Sequence, residues 1–363
     1  MKTMDIRTYN YKTEPYEHQL ETLARSAHKN LFALFLEMGL GKSKILLDNT
    51  AMLFEQGEIS GLLIVSPKGN LRNWDVHEIS KHLPDRIERN VLVWQPNHTQ
   101  QWTKDYERMV KEDSEGALNI FLVNVEAFAT PKACKFVEEF LVTHDAMMAI
   151  DESTTIKNPK AKRTKHLIKL APLADYRRIL TGFPITKAPL DLYSQCYFLS
   201  PNLLGFSSYY AFSARYAITQ ARRMGSHSFQ QIVGFQKLSE LQESIKDFSI
   251  RKRKDECLDL PEKVYVKRYV ELTTEQKQAY GAMKQKALMV LENEVFSTMN
   301  ALTQIMRLQQ VVAGSLRNEE GETILLKNNR IRAVLDLLEE TSGKVVIFAI
   351  FQTDIQELER AIA

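Results

Sequence analysis

The chain has 363 residues, of which 44% are hydrophobic and 26% charged, and its formal net charge is +3. That length suits about two or three domains with a sizeable core, and the near balance of charge confines any nucleic-acid surface to a local patch. The three cysteines (Cys134, Cys196, Cys257) are far apart, which excludes a zinc cluster or disulfide framework and suits a reducing cytoplasm; no apolar run reaches membrane-span length and no signal region opens the chain.

In chain order, the first strong signal is the apolar run Leu31–Leu36, which predicts a strand. It leads into Met38-Gly39-Leu40-Gly41-Lys42-Ser43, after which Ile45, Leu46, Leu47, Ala51, Met52 and Leu53 recur at helical spacing. Strand, glycine loop, Gly-Lys-Ser and helix is the layout of a phosphate-binding loop. Glycines let backbone N–H groups turn inward around phosphate, the lysine adds a charge for the β/γ-phosphates, and the serine hydroxyl can ligate Mg²⁺. Leu36 stands where the usual G-x-x-x-x-G-K-[ST] pattern has its first glycine.

Further short apolar runs predict strands over Gly61–Ser66, Asn90–Trp94, Asn119–Asn124, Ala146–Ile150 and Arg178–Thr181, mostly separated by helical patterns. The alternation predicts an α/β fold, a parallel sheet with helices on both faces and a ligand crevice beyond the carboxyl ends of its strands. Asp151-Glu152-Ser153-Thr154 follows one such strand. Asp151 suits Mg²⁺, mostly through water, and Glu152 suits orientation and deprotonation of an attacking water; a solvated turn or helix N-cap is the plainer alternative. Thr181 and Gly182 end the next strand and are placed to sense the site, or simply to exit it.

After Pro189 the pattern changes. Residues 190–247 lack strand alternation and predict helices joined by polar loops such as Met224-Gly225-Ser226-His227-Ser228. A basic cluster, Arg251-Lys252-Arg253-Lys254, precedes Leu260-Pro261; Val264–Glu271 alternates like a strand; Thr274–Val312 predicts a long helical stretch with Met283, Ala287, Leu291 and Val295 on one face. Arg330–Glu340 and Asp354–Ile362 predict helices flanking a buried strand at Val345–Ala349.

Taken together, Gln19, Met38–Ser43, Asp151–Thr154 and Thr181–Pro184 resemble, in order and spacing, the motor of the Swi/Snf-type branch of helicase superfamily two. Leu62–Lys68 with Asn73-Trp74, Phe121–Glu126, the continuation Thr155–Asn158, Leu192-Tyr193 with Phe198–Pro201, Arg251–Lys254 with Leu260–Lys263, and Lys344–Phe351 are similar to further motifs of that branch, so the resemblance spans almost the whole chain. It implies a RecA-like first lobe over 1–189, a helical protrusion and inter-lobe junction over 190–260, a second-lobe protrusion over 261–329, and the start of a second RecA-like lobe over 330–363. It also implies ATP and Mg²⁺ as cofactors, with Gln19 on the adenine edge, Lys42 and Ser43 on phosphate and Mg²⁺, Asp151 and Glu152 in metal and base roles, Thr181 and Gly182 in coupling, and Lys68, Asn73, Asn124 and Lys157 toward the nucleic-acid backbone. Phe183 and Thr154 depart from the family's usual residues.

Lys157, Lys160, Lys162, Arg163, Lys165 and Lys169 form an acid-free stretch directly after the acidic motif. In this context the stretch suits sequence-independent phosphate contact; a solvated helix face is the plain alternative. Arg251–Lys254 suits a second phosphate contact or a hinge between lobes, whereas Trp74, Trp94 and Trp102 suit packing. The family's Gln-x-x-Gly-Arg-x-x-Arg finger motif does not occur in this sequence, which predicts a truncated or split motor, weakly active alone, with a partner chain or second-lobe segment supplying the rest. The expected activity is ATP-dependent translocation along double-stranded DNA. The alternatives are a strand-separating helicase or restriction-system motor, and an ATP-switched nucleic-acid-binding regulatory module. Few inserts and no recognisable accessory domain suggest a cytoplasmic protein of a bacterium or a phage-infected cell.

Overall fold

All six apolar runs expected as strands in the first half form them: β1 Leu31–Leu36, β2 Gly61–Ser66, β3 Glu88–Val93, β4 Ala117–Asn124, β5 Ala146–Asp151 and β6 Tyr176–Leu180. The structure is a computed structural model that describes residues 5–111, 116–224, 227–293, 298–317 and 322–363. β7 (Ala217–Met224) and β8 (His227–Phe235) pair as an antiparallel hairpin, and β9 (Ser249–Lys252) returns to the main sheet. The seven-stranded sheet has the order β3-β4-β2-β5-β6-β1-β9 and is parallel throughout, a RecA-like arrangement.

Strands buried on both faces need apolar side chains at every position, which is why these runs look continuous rather than alternating. Ala33, Phe35, Leu63, Val65, Phe121 and Val123 enter one core layer. Their neighbours Phe32, Leu34, Leu62, Ile64, Ile120 and Leu122 enter the other. Helices Gln100–Lys111, Pro131–Thr143, Lys162–Leu170 and Leu192–Leu199 cover the first layer. α1 (Glu17–Ser26), α2 (Lys42–Glu55) and α3 (Lys68–Asn73) cover the second. Trp74, Trp94 and Trp102 are core residues, as expected for packing rather than base stacking.

A buried arginine ties these elements together. Arg178 on β6 donates to the carbonyls of Ser26 (3.1 Å), Asn30 (3.0 Å) and Arg177 (3.0 Å) and twice to Asn49 Oδ1 (3.2 and 3.0 Å). Those bonds use the full donor capacity of the guanidinium without a carboxylate partner. Burial pushes its pKa down to about 9, and the group joins the end of α1, the entry to β1 and the middle of α2.

The chain divides into two compact units, Met1–Pro261 and Glu262–Ala363. In the first, the all-helical expectation for 190–247 is corrected by the β7–β8 hairpin. Most of its described side chains are exposed, so neither face carries the apolar alternation that marks a half-buried strand. β9 went unforeseen because four residues ending in Arg251-Lys252 carry little apolar signal. In the second unit, Val264–Glu271 and Val345–Ala349 form no strand; Tyr265 is 87% exposed and Phe348 92%. The long helical stretch is two helices, Thr274–Asn293 and Thr298–Ala313. Gln276 Nε2 donates to the carbonyls of Val311 (3.0 Å) and Val312 (3.1 Å), so the stretch folds back on itself. Val295 lies outside the described residues. Helices at Arg330–Glu340 and Gln352–Ile362 match expectation, and no helix among the described residues is long and apolar enough to cross a membrane.

Candidate active site

The register brings Asp151 of β5 opposite Leu180 of β6, and Leu180 opposite Leu34 of β1, so three strand ends open side by side on one edge. The loop after β1 turns through Gly39 (φ 87°) and Gly41 (φ 80°), left-handed conformations that glycine adopts without steric cost. A β-carbon on Gly41 would lie 2.2 Å from Gln19 Nε2, so a side chain there would displace Gln19 as well as strain the loop. α2 starts at Lys42 and presents its N-terminal N–H groups to the crevice. Lys42 Nζ donates to the Leu36 carbonyl at 2.9 Å, lying across the loop. Burial lowers the Lys42 pKa, and the carboxylates of Glu152 and Asp151 pull it back up. Met38 and Gly39 are exposed, Leu40 is buried, and Ser43 is half-buried at the start of α2.

Gln19 braces this loop. Its Nε2 donates to the Leu40 carbonyl (3.2 Å) and its Oε1 accepts from the Tyr16 N–H (3.0 Å). His18 Nε2 also lies 3.0 Å from the Leu40 carbonyl.

Asp151 is buried. Its Oδ2 accepts from Ser66 Oγ (3.2 Å), Asn70 Nδ2 (2.7 Å) and Trp74 Nε1 (2.9 Å), while Oδ1 accepts the Glu152 N–H (3.0 Å). Those donors fix its orientation. Glu152 has a positive φ of 49°, a costly conformation for a non-glycine residue that the surrounding bonds enforce. Its Oε2 accepts from Thr181 Oγ1 at 3.2 Å. Gly182 lies against the loop backbone, where a β-carbon would meet the Leu36 carbonyl and Met38 nitrogen at 3.4 Å. Thr181 and Gly182 therefore touch both the acidic pair and the glycine loop.

The acidic motif also reaches outward. Ser153 Oγ donates to Gln195 Oε1 (2.7 Å), and Gln195 Nε2 donates to the carbonyls of Pro184 and Asp191 (2.8 Å each). Lys157 Nζ bonds Thr186 Oγ1 and pairs with Asp191 Oδ2 (3.6 Å), so its charge is partly spent within the fold. On the helix Lys162–Leu170, Thr164, Leu167 and Leu170 face inward and Lys162, Lys165 and Lys169 are exposed. Lys160 is exposed too; Arg163 is half-buried, and its Nε has no partner among the described residues. Lys68 is exposed at the start of α3, Asn73 Nδ2 donates to Glu78 Oε1 (3.2 Å), and Asn124 Nδ2 donates to Glu126 Oε2 (3.0 Å).

Sequence reasoning missed Asn70, the bond made by Trp74, and Gln195. The spacing of Ser66, Asn70 and Trp74 was the available signal: Asn70 and Trp74 are four apart along α3 and its continuation, hence on one helical face above the end of β2. A single π turn, Trp74–Glu78, follows directly.

The donor set fits a polyphosphate with a divalent cation: an ammonium and a hydroxyl at a helix N-terminus, with an acidic pair within electrostatic reach. Comparison with known proteins agrees. The family model described as SNF2-related domain matches residues 18–315. The chain is 28% identical over 275 residues to the chromatin-remodeling ATPase INO80 of Candida albicans, covering 72% of this chain and 18% of that protein. It is 25% identical over 337 residues to the ATP-dependent helicase MG018 of Mycoplasma genitalium, covering 90% of this chain and 29% of that one. The chain thus spans less than a third of the length of these curated relatives. Its fold matches the Sulfolobus solfataricus SWI2/SNF2 ATPase core in complex with dsDNA at a TM-score of 0.53 and 24% identity, covering 98% of this chain and 70% of that one. The chain belongs to the SNF2-related domain family, the Swi/Snf-type helicase ATPases.

Proposed function

We propose that this chain binds and hydrolyses ATP as part of a motor that moves along double-stranded DNA. The observation that carries this reading is the convergence of Lys42-Ser43, Asp151-Glu152 and Thr181-Gly182 at neighbouring strand ends, with the Thr181–Glu152 bond linking two of them. Lys42 would hold the β/γ-phosphates, and Ser43 and Asp151 would hold Mg²⁺, which neutralises charge on the phosphates when bound. Glu152 would accept a proton from the attacking water. Its bond from Thr181 makes the Glu152 orientation depend on the end of β6, which suits a site that signals its state.

Double-stranded DNA as the partner is supported by the exposed lysines Lys160, Lys162, Lys165 and Lys169, and by the solved relative in complex with dsDNA. Lys68, Asn73, Asn124 and Lys157 would add backbone contacts. The exposed apolar run at 345–350 needs further strands to cover it, which supports completion of the motor by residues outside this chain. The dispersed cysteines suit the cytoplasm. Strand separation is the second reading, favoured by relatives named ATP-dependent helicases.

The test is steady-state ATP hydrolysis with and without duplex DNA, with Glu152→Gln as control. Turnover that duplex stimulates and the variant abolishes supports the motor; forked DNA stimulating far better than blunt duplex favours strand separation. ATP binding without turnover, unchanged when a second lobe is added, sinks the motor in favour of a regulatory switch.

A further inference from the structure

We propose that Lys254 is a second phosphate-binding cation of the nucleotide site, reaching the glycine loop from the strand beside it. The inference rests on the ATP reading above and adds a residue to it. β9 pairs in parallel with β1, Leu36 opposite Lys252, so both strands leave the sheet together toward the crevice. Two bonds then lock the exits to each other: the Glu37 N–H donates to the Lys252 carbonyl (3.1 Å), and the Lys254 N–H donates to Glu37 Oε2 (3.0 Å). With its backbone fixed there, the Lys254 side chain extends over the loop. A β-carbon on Gly39 would sit 3.5 Å from Lys254 Cε and 3.6 Å from its Nζ.

Two of the other three members of the basic cluster are engaged elsewhere. Lys252 pairs with Glu21 (2.5 Å), and Arg253 pairs with Asp255 and Glu256 (3.1 Å each). Lys254 Nζ has no hydrogen-bond or ion-pair partner among the described residues. The loop therefore carries two ammonium groups, Lys42 within it and Lys254 above Gly39. They are close enough that Lys254 adds to the lowering of the Lys42 pKa, after burial as the main cause. Two like charges held together cost free energy unless an anion lies between them, and a polyphosphate is the anion this loop geometry accepts. In the sheet order, β5 and β6 lie on one side of β1 and β9 on the other. The acidic pair and Lys254 thus flank the loop from opposite sides.

The experiment is calorimetric titration of ATP and ADP, without DNA, into the full chain and its Lys254→Gln, Lys254→Arg, Arg253→Gln and Lys42→Ala variants, with thermal melts of each. The expected result is an ATP affinity about tenfold weaker for Lys254→Gln, a smaller loss for ADP because it carries less charge, recovery in Lys254→Arg, and no change in Arg253→Gln or in melting. Wild-type affinities in Lys254→Gln, alongside lost binding in Lys42→Ala, overturn the proposal and leave the ATP reading standing. Equal losses for ATP and ADP with lowered melting also overturn it, by making Lys254 structural. Failure of the wild-type chain to bind ATP removes both readings.

Discussion

Ile120-Phe121-Leu122-Val123 and Val345-Val346-Ile347-Phe348 are nearly interchangeable as sequence, yet the first is a fully buried strand and the second is unpaired and largely exposed. β4 lies between β3 and β2, so both its hydrogen-bonding edges and both its faces are covered. The run at 345–348 has no neighbouring strand among the described residues. A parallel strand is a property of its neighbours as much as of its own residues, because an isolated extended segment leaves its N–H and C=O groups and its side chains in water. The first unit supplies seven mutually supporting strands; among its described residues the second supplies only the small ladder of β10 (Ser315–Arg317) and β11 (Thr323–Leu325).

The widest separation between the two regions should come from matched phenylalanine truncations. Phe121→Ala removes a buried ring from the sheet's first core layer and is expected to cost about 3–5 kcal/mol in urea unfolding. Phe348→Ala removes a ring that is 92% exposed and is expected to leave the unfolding midpoint within about 0.5 kcal/mol of wild type. A large loss at Phe348 would mean that the run is already covered in solution, and the contrast would collapse.

Arginines sharpen the comparison at a smaller scale. Arg178→Lys keeps the charge but cannot reproduce the five bonds that join α1, β1 and α2, so about 2–3 kcal/mol of stability should be lost. Arg268 in the second unit pairs with Glu340 at the surface, and Arg268→Lys should leave the urea midpoint unmoved. Equal midpoints for the two variants would show that the Arg178 network adds nothing.

The contrast also explains what the sequence made legible. The phosphate loop, the acidic pair and Thr181-Gly182 were readable because each is a short contiguous motif at the end of an apolar run. β1, β2, β4 and β5 were readable because burial on both faces leaves a nearly unmixed apolar signature, and β3 and β6 were readable by shorter apolar runs. Asn70 and Trp74 left only their four-residue spacing as a signal, and Gln195 and Lys254 reach the site only through packing between distant segments, which no local pattern records. The same holds for Arg178, whose partners lie in α1, in α2 and before β1. β7 and β8 escaped because an exposed ribbon needs no alternation, and Val345–Ala349 misled because it has the composition of a central strand without the neighbours.

The smallest effect concerns a carboxyl of the first unit that is buried more deeply than its counterpart in the second, Asp354, which is 9% exposed. Asp48 on α2 is fully buried; its Oδ2 accepts from Lys44 Nζ at 2.7 Å while its Oδ1 has no partner among the described residues. Burial raises its pKa to about 6, with the Lys44 bond and charge working in the opposite direction. A carboxyl whose folded pKa lies above its unfolded value favours the fold most when protonated. Its contribution is therefore complete below about pH 4 and is lost as pH rises through about 6. Asp48→Asn cannot ionise, so the wild-type stability minus that of the variant should fall by roughly 2 kcal/mol between pH 4 and 7 and stay flat above. Urea midpoints at unit pH steps measure this difference, in which the titration of every other group cancels. Parallel curves would mean that the Lys44–Asp48 pair keeps Asp48 ionised throughout, and that Lys44, which also holds the Thr13 carbonyl at 2.7 Å, compensates its burial in full.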